Sequence, residues 1–139
     1  MKNIKIFSHT ADIGIEVRSK SLAGIFNNAG RAVIGLAIRK SRGSCVRRHI
    51  RLKAASLEEL LHDFLNEILY YIFVKKCYLK SAVVEKINEA KNRLEAAIYV
   101  DPQKTAGDYI KEELKSVTYH NLVIQKNLKV YKTRIVIDA

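Results

Sequence analysis

The sequence predicts an α+β domain in which two amphipathic helices pack on largely antiparallel β-sheet. Three observations carry this expectation. Strand and helix patterns follow one another as β-β-α-β-α-β-β-β-β, without the strict βα alternation of a parallel sheet. Two segments, opening at Ser21 and Ser56, hold apolar residues at helical spacing, and the remaining apolar stretches alternate with a period of two. A chain of 139 residues, 48% hydrophobic and 28% charged with a single Pro, can bury one sizeable core, so residues 1–139 read as one domain.

Each element follows from local pattern. Ile4 and Ile6 alternate with lysines, and Ile13, Ile15 and Val17 alternate with Gly14 and Glu16, giving two short strands around a polar bend at Ser8-His9-Thr10-Ala11-Asp12. Leu22, Ile25, Phe26, Ala29, Val33 and Leu36 form a helical stripe that Ser19 or Ser21 can cap. Gly30 and Gly35 weaken that helix, which points to a close helix-to-sheet contact or an early end near Gly35. Residues 39–53 hold seven Lys or Arg and no acid, and lead as a loop into a strand where Ile50, Leu52 and Ala54 alternate with Arg51 and Lys53.

Ser56-Leu57-Glu58-Glu59 has the form of a capping box and opens the second, central helix, whose stripe runs from Leu57 through Phe64 to Ile72. A hairpin follows, residues 78–85 and 93–100 around the polar turn 88–92. Residues 101–113 read as a polar loop. Residues 114–125 and 130–138 close the chain as strands joined through Lys126-Asn127.

Charge is the strongest compositional signal: 25 Lys and Arg against 14 Asp and Glu give +11. Such a balance favours polyanionic partners, although it also serves solubility. No apolar run approaches the ~20 residues of a membrane span, and the first residues lack the apolar stretch of a signal peptide, so a cytoplasmic protein without membrane contact is expected. Cys45 and Cys77 have no CxxC or CxxH companion and are expected to be reduced.

No P-loop, Rossmann glycine pattern, HExxH or GxSxG is present, so the polar clusters must be weighed singly. His9-Thr10-Ala11-Asp12 sets an imidazole, a hydroxyl and a carboxylate at a strand junction, where an Asp is more often a turn-former than a cation ligand. Lys115 to His120 and the terminal Ile137-Asp138-Ala139 are two further clusters in strands. His62, Asp63, Asn66 and Glu67 share the second helix; Asp63 and Glu67 at i, i+4 suit a metal, yet an ordinary polar helix face is the commoner meaning of that spacing.

In order and spacing, five blocks together resemble the archease family: His9-Thr10-Ala11-Asp12-Ile13-Gly14-Ile15, Ile25-Phe26-Asn27-Asn28-Ala29, the helix from Leu60 to Tyr70, Leu114-Lys115-Ser116-Val117-Thr118-Tyr119-His120, and Ile135-Val136-Ile137-Asp138. The resemblance implies a non-enzymatic activator of the RtcB-type RNA ligase of tRNA splicing, promoting ligase guanylylation and multiple turnover. It also implies a divalent-cation site, commonly calcium, whose carboxylates fall on Asp12 and Asp138 with an oxygen from Ala139. The family's functional lysine falls on Lys115.

The residue chemistry is compatible. Carboxylates are hard donors for Ca²⁺, Mg²⁺ or Mn²⁺ and poor ligands for structural zinc. His9 can orient Asp12, and Lys115, which would repel a cation, belongs at the rim of the site. Two departures stand out. Tyr99-Val100-Asp101-Pro102 replaces the Gly-Glu and His often found before the lysine strand, leaving Asp101 and Asp108 as the only extra ligand candidates there. The strong positive charge is also unusual for the family, and Arg47, Arg48 and Arg51 are the candidate contacts to ligase or RNA. Two other functions compete: a basic RNA-binding module using residues 39–53, and a metal-dependent phosphoesterase using Asp12, Asp138 and Glu67.

Overall fold

The computed structural model describes residues 3–8, 12–119 and 121–139. Within them the chain runs β1 (Ile4–Ser8), β2 (Asp12–Ser19), α1 (Leu22–Ala37), β3 (Val46–Lys53), α2 (Leu57–Leu69), β4 (Cys77–Asn88), β5 (Arg93–Thr105), β6 (Ser116–Val117), β7 (Ile124–Asn127) and β8 (Val130–Asp138). One sheet is ordered β1-β2-β8-β6, with β7 also on β8; the other is ordered β3-β5-β4. Every strand pair is antiparallel. The two helices on antiparallel sheet match the expected fold class.

Both helices start where a serine can cap them. Ser21 Oγ accepts from the Gly24 amide at 3.0 Å, and Ser56 Oγ accepts from the Glu59 amide at 3.1 Å. Only this arm of the capping box forms, since the Glu59 carboxylate makes no return bond to the Ser56 amide; the neighbouring Glu58 carboxylate accepts from the Ile124 amide at 3.0 Å and ties β7 to the helix. The apolar stripes meet in one core, where the Phe26 and Phe64 rings lie 5.9 Å apart. α1 packs on strands of both sheets and on α2, which makes it as central as α2. A π-helical turn, Tyr70–Val74, extends α2 towards β4.

Five further details differ from the sequence expectation. Gly30 permits a close helix–helix contact, not a helix–sheet one: a Cβ there would lie 3.3 Å from Ile68 and 3.4 Å from Phe64. Gly35 does not end α1, which continues to Ala37. β5 runs on to Thr105 through the segment expected to be loop. Tyr78 opposes Asp101 while Cys77 opposes Thr105, so residues 102–104 arch out of the ladder where Pro102 has no amide to donate.

The fourth difference divides residues 114–125 into β6 and β7. Asn121 adopts a left-handed φ of 55° and the Leu122 amide bonds the Tyr119 carbonyl at 3.0 Å, turning the chain between them. Lys126 and Asn127 are paired strand residues, and the β7–β8 connection is Leu128-Lys129. No helix among the described residues is long and apolar enough to cross a membrane. Both cysteines are free thiols.

Candidate functional site

The β2–β8 register sets Asp12 directly opposite Asp138 and Ile13 opposite Ile137. Side chains alternate across a strand. Ile15, Val17, Ile135 and Ile137 face the core, so Asp12 and Asp138 share the outward face. Directly opposed residues of an antiparallel pair have Cβ atoms about 4.5–5.5 Å apart, and like charges there oppose the pairing. β6 completes the row, because Ser116 lies opposite Asp138 on its other side. Ala139, half-buried, continues from this row.

Charge compensation is unequal along β2. Glu16, the next outward position after Gly14, has cations from three directions: Lys132 at 3.5 Å, Arg18 at 3.7 Å and Lys5 at 3.9 Å. Among the described residues neither Asp12 nor Asp138 forms an ion pair, although the chain carries +11. The row therefore concentrates uncompensated negative charge on half-buried side chains. Its carboxylates, the Ser116 hydroxyl and an Ala139 oxygen are all hard donors, the set that suits Ca²⁺ or Mg²⁺. No group of three His, Cys, Asp or Glu comes together among the described residues.

Lys115 enters through its backbone: its amide donates to the Asp138 carbonyl at 2.7 Å, while the side chain is exposed and makes no ion pair with either carboxylate. The short strand that follows is clamped by α2. Asn66 Nδ2 donates to the Val117 carbonyl at 3.2 Å, and the Val117 amide donates to Asn66 Oδ1 at 2.9 Å. These two bonds fix the amide orientation, so Nδ2 also donates to His62 Nε2 at 3.0 Å. His62 Nε2 is then the acceptor, and Nδ1–H donates to Asp63 Oδ1 at 3.0 Å. The Tyr119 ring stacks on the imidazole, centroids 3.8 Å apart. Burial, then the nearby Asp63 and Glu59 carboxylates, push the Tyr119 hydroxyl up. The polar face of α2 thus holds the free edge of β6. His62 and Asn66 are supports for the site that the sequence showed only as polar residues of the second helix.

The other candidates lie apart. Asp101 belongs to the second sheet and is bonded to Lys104 Nζ at 2.8 Å and to the Gln103 amide at 3.0 Å, which hold its carboxyl below the usual range. Asp108 Oδ2 accepts from the Thr105 hydroxyl at 3.2 Å. Arg47 and Arg51 are ion-paired, to Glu85 and to Glu95 respectively, and strand alternation turns Arg48 to the opposite face. His9 and His120 lie outside the described residues.

Comparison with known proteins agrees with this architecture. The family model described as the Archease protein family matches residues 5–139. The archease of Methanosarcina barkeri is 30% identical over 99% of this chain and 96% of its own length. That of Pyrococcus abyssi is 30% identical over 91% of this chain and 90% of its own. Among solved structures, Methanobacterium thermoautotrophicum protein 1598 superposes with a TM-score of 0.75 at 23% identity, covering 100% of both chains. A Thermotoga maritima archease, described as a possible chaperone, superposes at 0.67 with 21% identity, covering 97% of this chain and 96% of its own. A family match over nearly the whole chain and a shared two-helix, two-sheet architecture lead to one conclusion: the chain belongs to the archease family.

Proposed function

We propose that the protein is a non-enzymatic, divalent-cation-binding activator of the RtcB-type RNA ligase, promoting ligase guanylylation and multiple turnover in tRNA splicing in the cytoplasm. The carrying observation is the opposed Asp12–Asp138 carboxylates on the outward face of the first sheet, without an ion-pair partner among the described residues. Asp12 and Asp138 would hold a calcium, magnesium or manganese ion with an oxygen of Ala139. A bound divalent cation supplies a fixed positive charge that offsets the repulsion across this pair. His9 would orient Asp12. Lys115, whose amide fixes the Asp138 carbonyl, would present its ammonium to an acidic or phosphate group of the ligase complex. Family membership supports the activator reading over the phosphoesterase one, and among the described residues Glu67 does not join Asp12 and Asp138 in a three-carboxylate group.

The test pairs calorimetry with turnover. Titration with Ca²⁺, Mg²⁺ and Mn²⁺ should show binding to the native chain and its loss in Asp12→Asn. In a multiple-turnover ligation assay with substoichiometric protein, Asp12→Asn should no longer stimulate. Lys115→Ala should keep its cation and stimulate less. Native-level stimulation by Asp12→Asn would remove the carboxylate pair from the function.

A further inference from the structure

The four ion-paired or lone cations of β3 are not where positive charge is most available. A cleft of about 630 Å³ opens between the C-terminal half of α1, residues 38–42 and β4. Its volume falls within the ~300–1,000 Å³ typical of small-molecule sites. Arg31, Arg39, Lys40, Arg42 and Lys80 line it, all exposed, and no carboxylate does. Ile34, Ile38 and Leu79 supply an apolar floor.

These five cations have no acidic partner among the described residues. Arg31 Nη1 reaches the Asn28 amide oxygen at 3.4 Å, and Lys80 Nζ the Gly43 carbonyl at 3.4 Å. Arg39 donates to the Asp108 carbonyl at 2.7 Å and lies over the Tyr109 ring at 5.3 Å. Such neutral partners orient a guanidinium without cancelling its charge. Asp101, the carboxylate beneath the loop, is buried and committed to Lys104.

The loop is also held in place. The Tyr78 hydroxyl donates to the Arg39 carbonyl at 2.8 Å, the Arg39 amide donates to the Tyr109 carbonyl at 2.8 Å, and Lys104 donates to the Arg42 carbonyl. Gly43 lets the chain pass over the Asp101–Lys104 pair, since a Cβ would fall 2.0 Å from Asp101 Oδ2. The backbone that carries Arg39, Lys40 and Arg42 is therefore fixed beside the apolar floor before any ligand arrives, which lowers the entropy lost on binding.

We propose that this cleft binds single-stranded polynucleotide, with backbone phosphates on the cationic rim and a base against the apolar floor. Three of the five cations are arginines, whose planar fork matches phosphate oxygens. Entry of a base into the cleft requires an unpaired strand, because a duplex keeps its bases stacked inside. Tyr78, the aromatic among the lining residues, is buried with its hydroxyl committed to the Arg39 carbonyl, so the phosphate contacts dominate and binding is expected to be tolerant of sequence and strongly salt-dependent. The site is remote in sequence from Asp12 and Asp138, so its standing is independent of the cation reading.

The test measures fluorescence anisotropy of a labelled single-stranded RNA with the full chain at several salt concentrations. Lys40→Gln/Arg42→Gln removes two rim charges whose side chains bond nothing else among the described residues. It should weaken binding about tenfold at low salt and lower the log–log salt slope by about 1.4, the value for two lost phosphate contacts on a single strand. Lys126→Gln/Lys129→Gln, an equal charge change on the β7–β8 hairpin, should change affinity less than about threefold. Circular dichroism checks that both variants keep the native fold. Equal losses in the two variants would mean diffuse attraction and sink the site. So would duplex RNA binding as tightly as single strand, or polyglutamate of matched charge competing as well as RNA. No binding by the native chain overturns it outright.

Discussion

Asn66 shows how one side chain positions a site it does not join. Replacing it with Ala leaves the Val117 amide and carbonyl without their α2 partners, and His62 Nε2 without a donor. Unpaired polar groups of this kind cost about 1–3 kcal/mol, so Asn66→Ala should lower stability by that amount in urea unfolding. Because β6 then loses one of its two neighbours, amide exchange at Ser116 and Val117 should accelerate more than in the rest of the first sheet. Leu128 is the opposite case, a residue held against its preference. It occupies the left-handed region at φ 56° in the β7–β8 turn and is 91% exposed, so its side chain buries nothing in return. Leu128→Gly should raise the unfolding free energy by up to about 1 kcal/mol, and a fall would mean that glycine's extra freedom in the unfolded chain outweighs the relieved strain.

Within α1 the two glycines have different reasons to be there. Gly30 meets Ile68 and Phe64 of α2, and larger side chains must push the helices apart; Gly30→Leu should cost about 1–3 kcal/mol. A Cβ on Gly35 meets nothing within 4 Å, and Gly35→Ala should add about 0.5–1 kcal/mol through helix propensity. Thermal denaturation of the two variants should move the midpoint in opposite directions. The β6 element teaches a related lesson. Two residues cannot make a strand by propensity, and Ser116–Val117 pair with β8 because Asn66 satisfies the other edge.

Over the whole molecule, acid should act first on the second sheet. Arg47 holds Glu85 below the usual carboxylate range, and Lys104 with the Gln103 amide does the same for Asp101. A carboxyl whose pKa falls on folding adds stability that is fully present above its unfolded value, about 4.3 for Glu and 3.9 for Asp, and is lost as pH falls through the folded value. Stability should therefore drop below about pH 4. The drop should be shallower in Asp101→Asn, which has no proton to take up at that position. Unfolding midpoints measured between neutral pH and about pH 3 would show this, and parallel curves for the two proteins would exclude a linkage through Asp101. Glu85 matters to the sheet as a whole, because its bond to Arg47 spans from β4 to β3 across the intervening β5.

Fold class, both helix starts, the approximate places of the long strands and the family are legible along the chain alone. Those features follow from local periodicity, from serine caps and from blocks whose spacing is visible along the chain. The sequence also named Asp12, Asp138 and Lys115 as a set through resemblance, without showing what joins them. Tertiary structure decided what depends on register and on neighbours distant in sequence. Antiparallel pairing of β2 with β8 sets Asp12 against Asp138 across more than a hundred residues, and no local pattern encodes that register. The same holds for the division of residues 114–125, which depends on an asparagine from α2 and a left-handed turn at Asn121. Charge was readable as a total but not as an arrangement. The run through residues 39–53 looked uniform, yet Glu85 and Glu95 neutralise Arg47 and Arg51, while Arg39, Lys40 and Arg42 face the cleft with no carboxylate partner among the described residues.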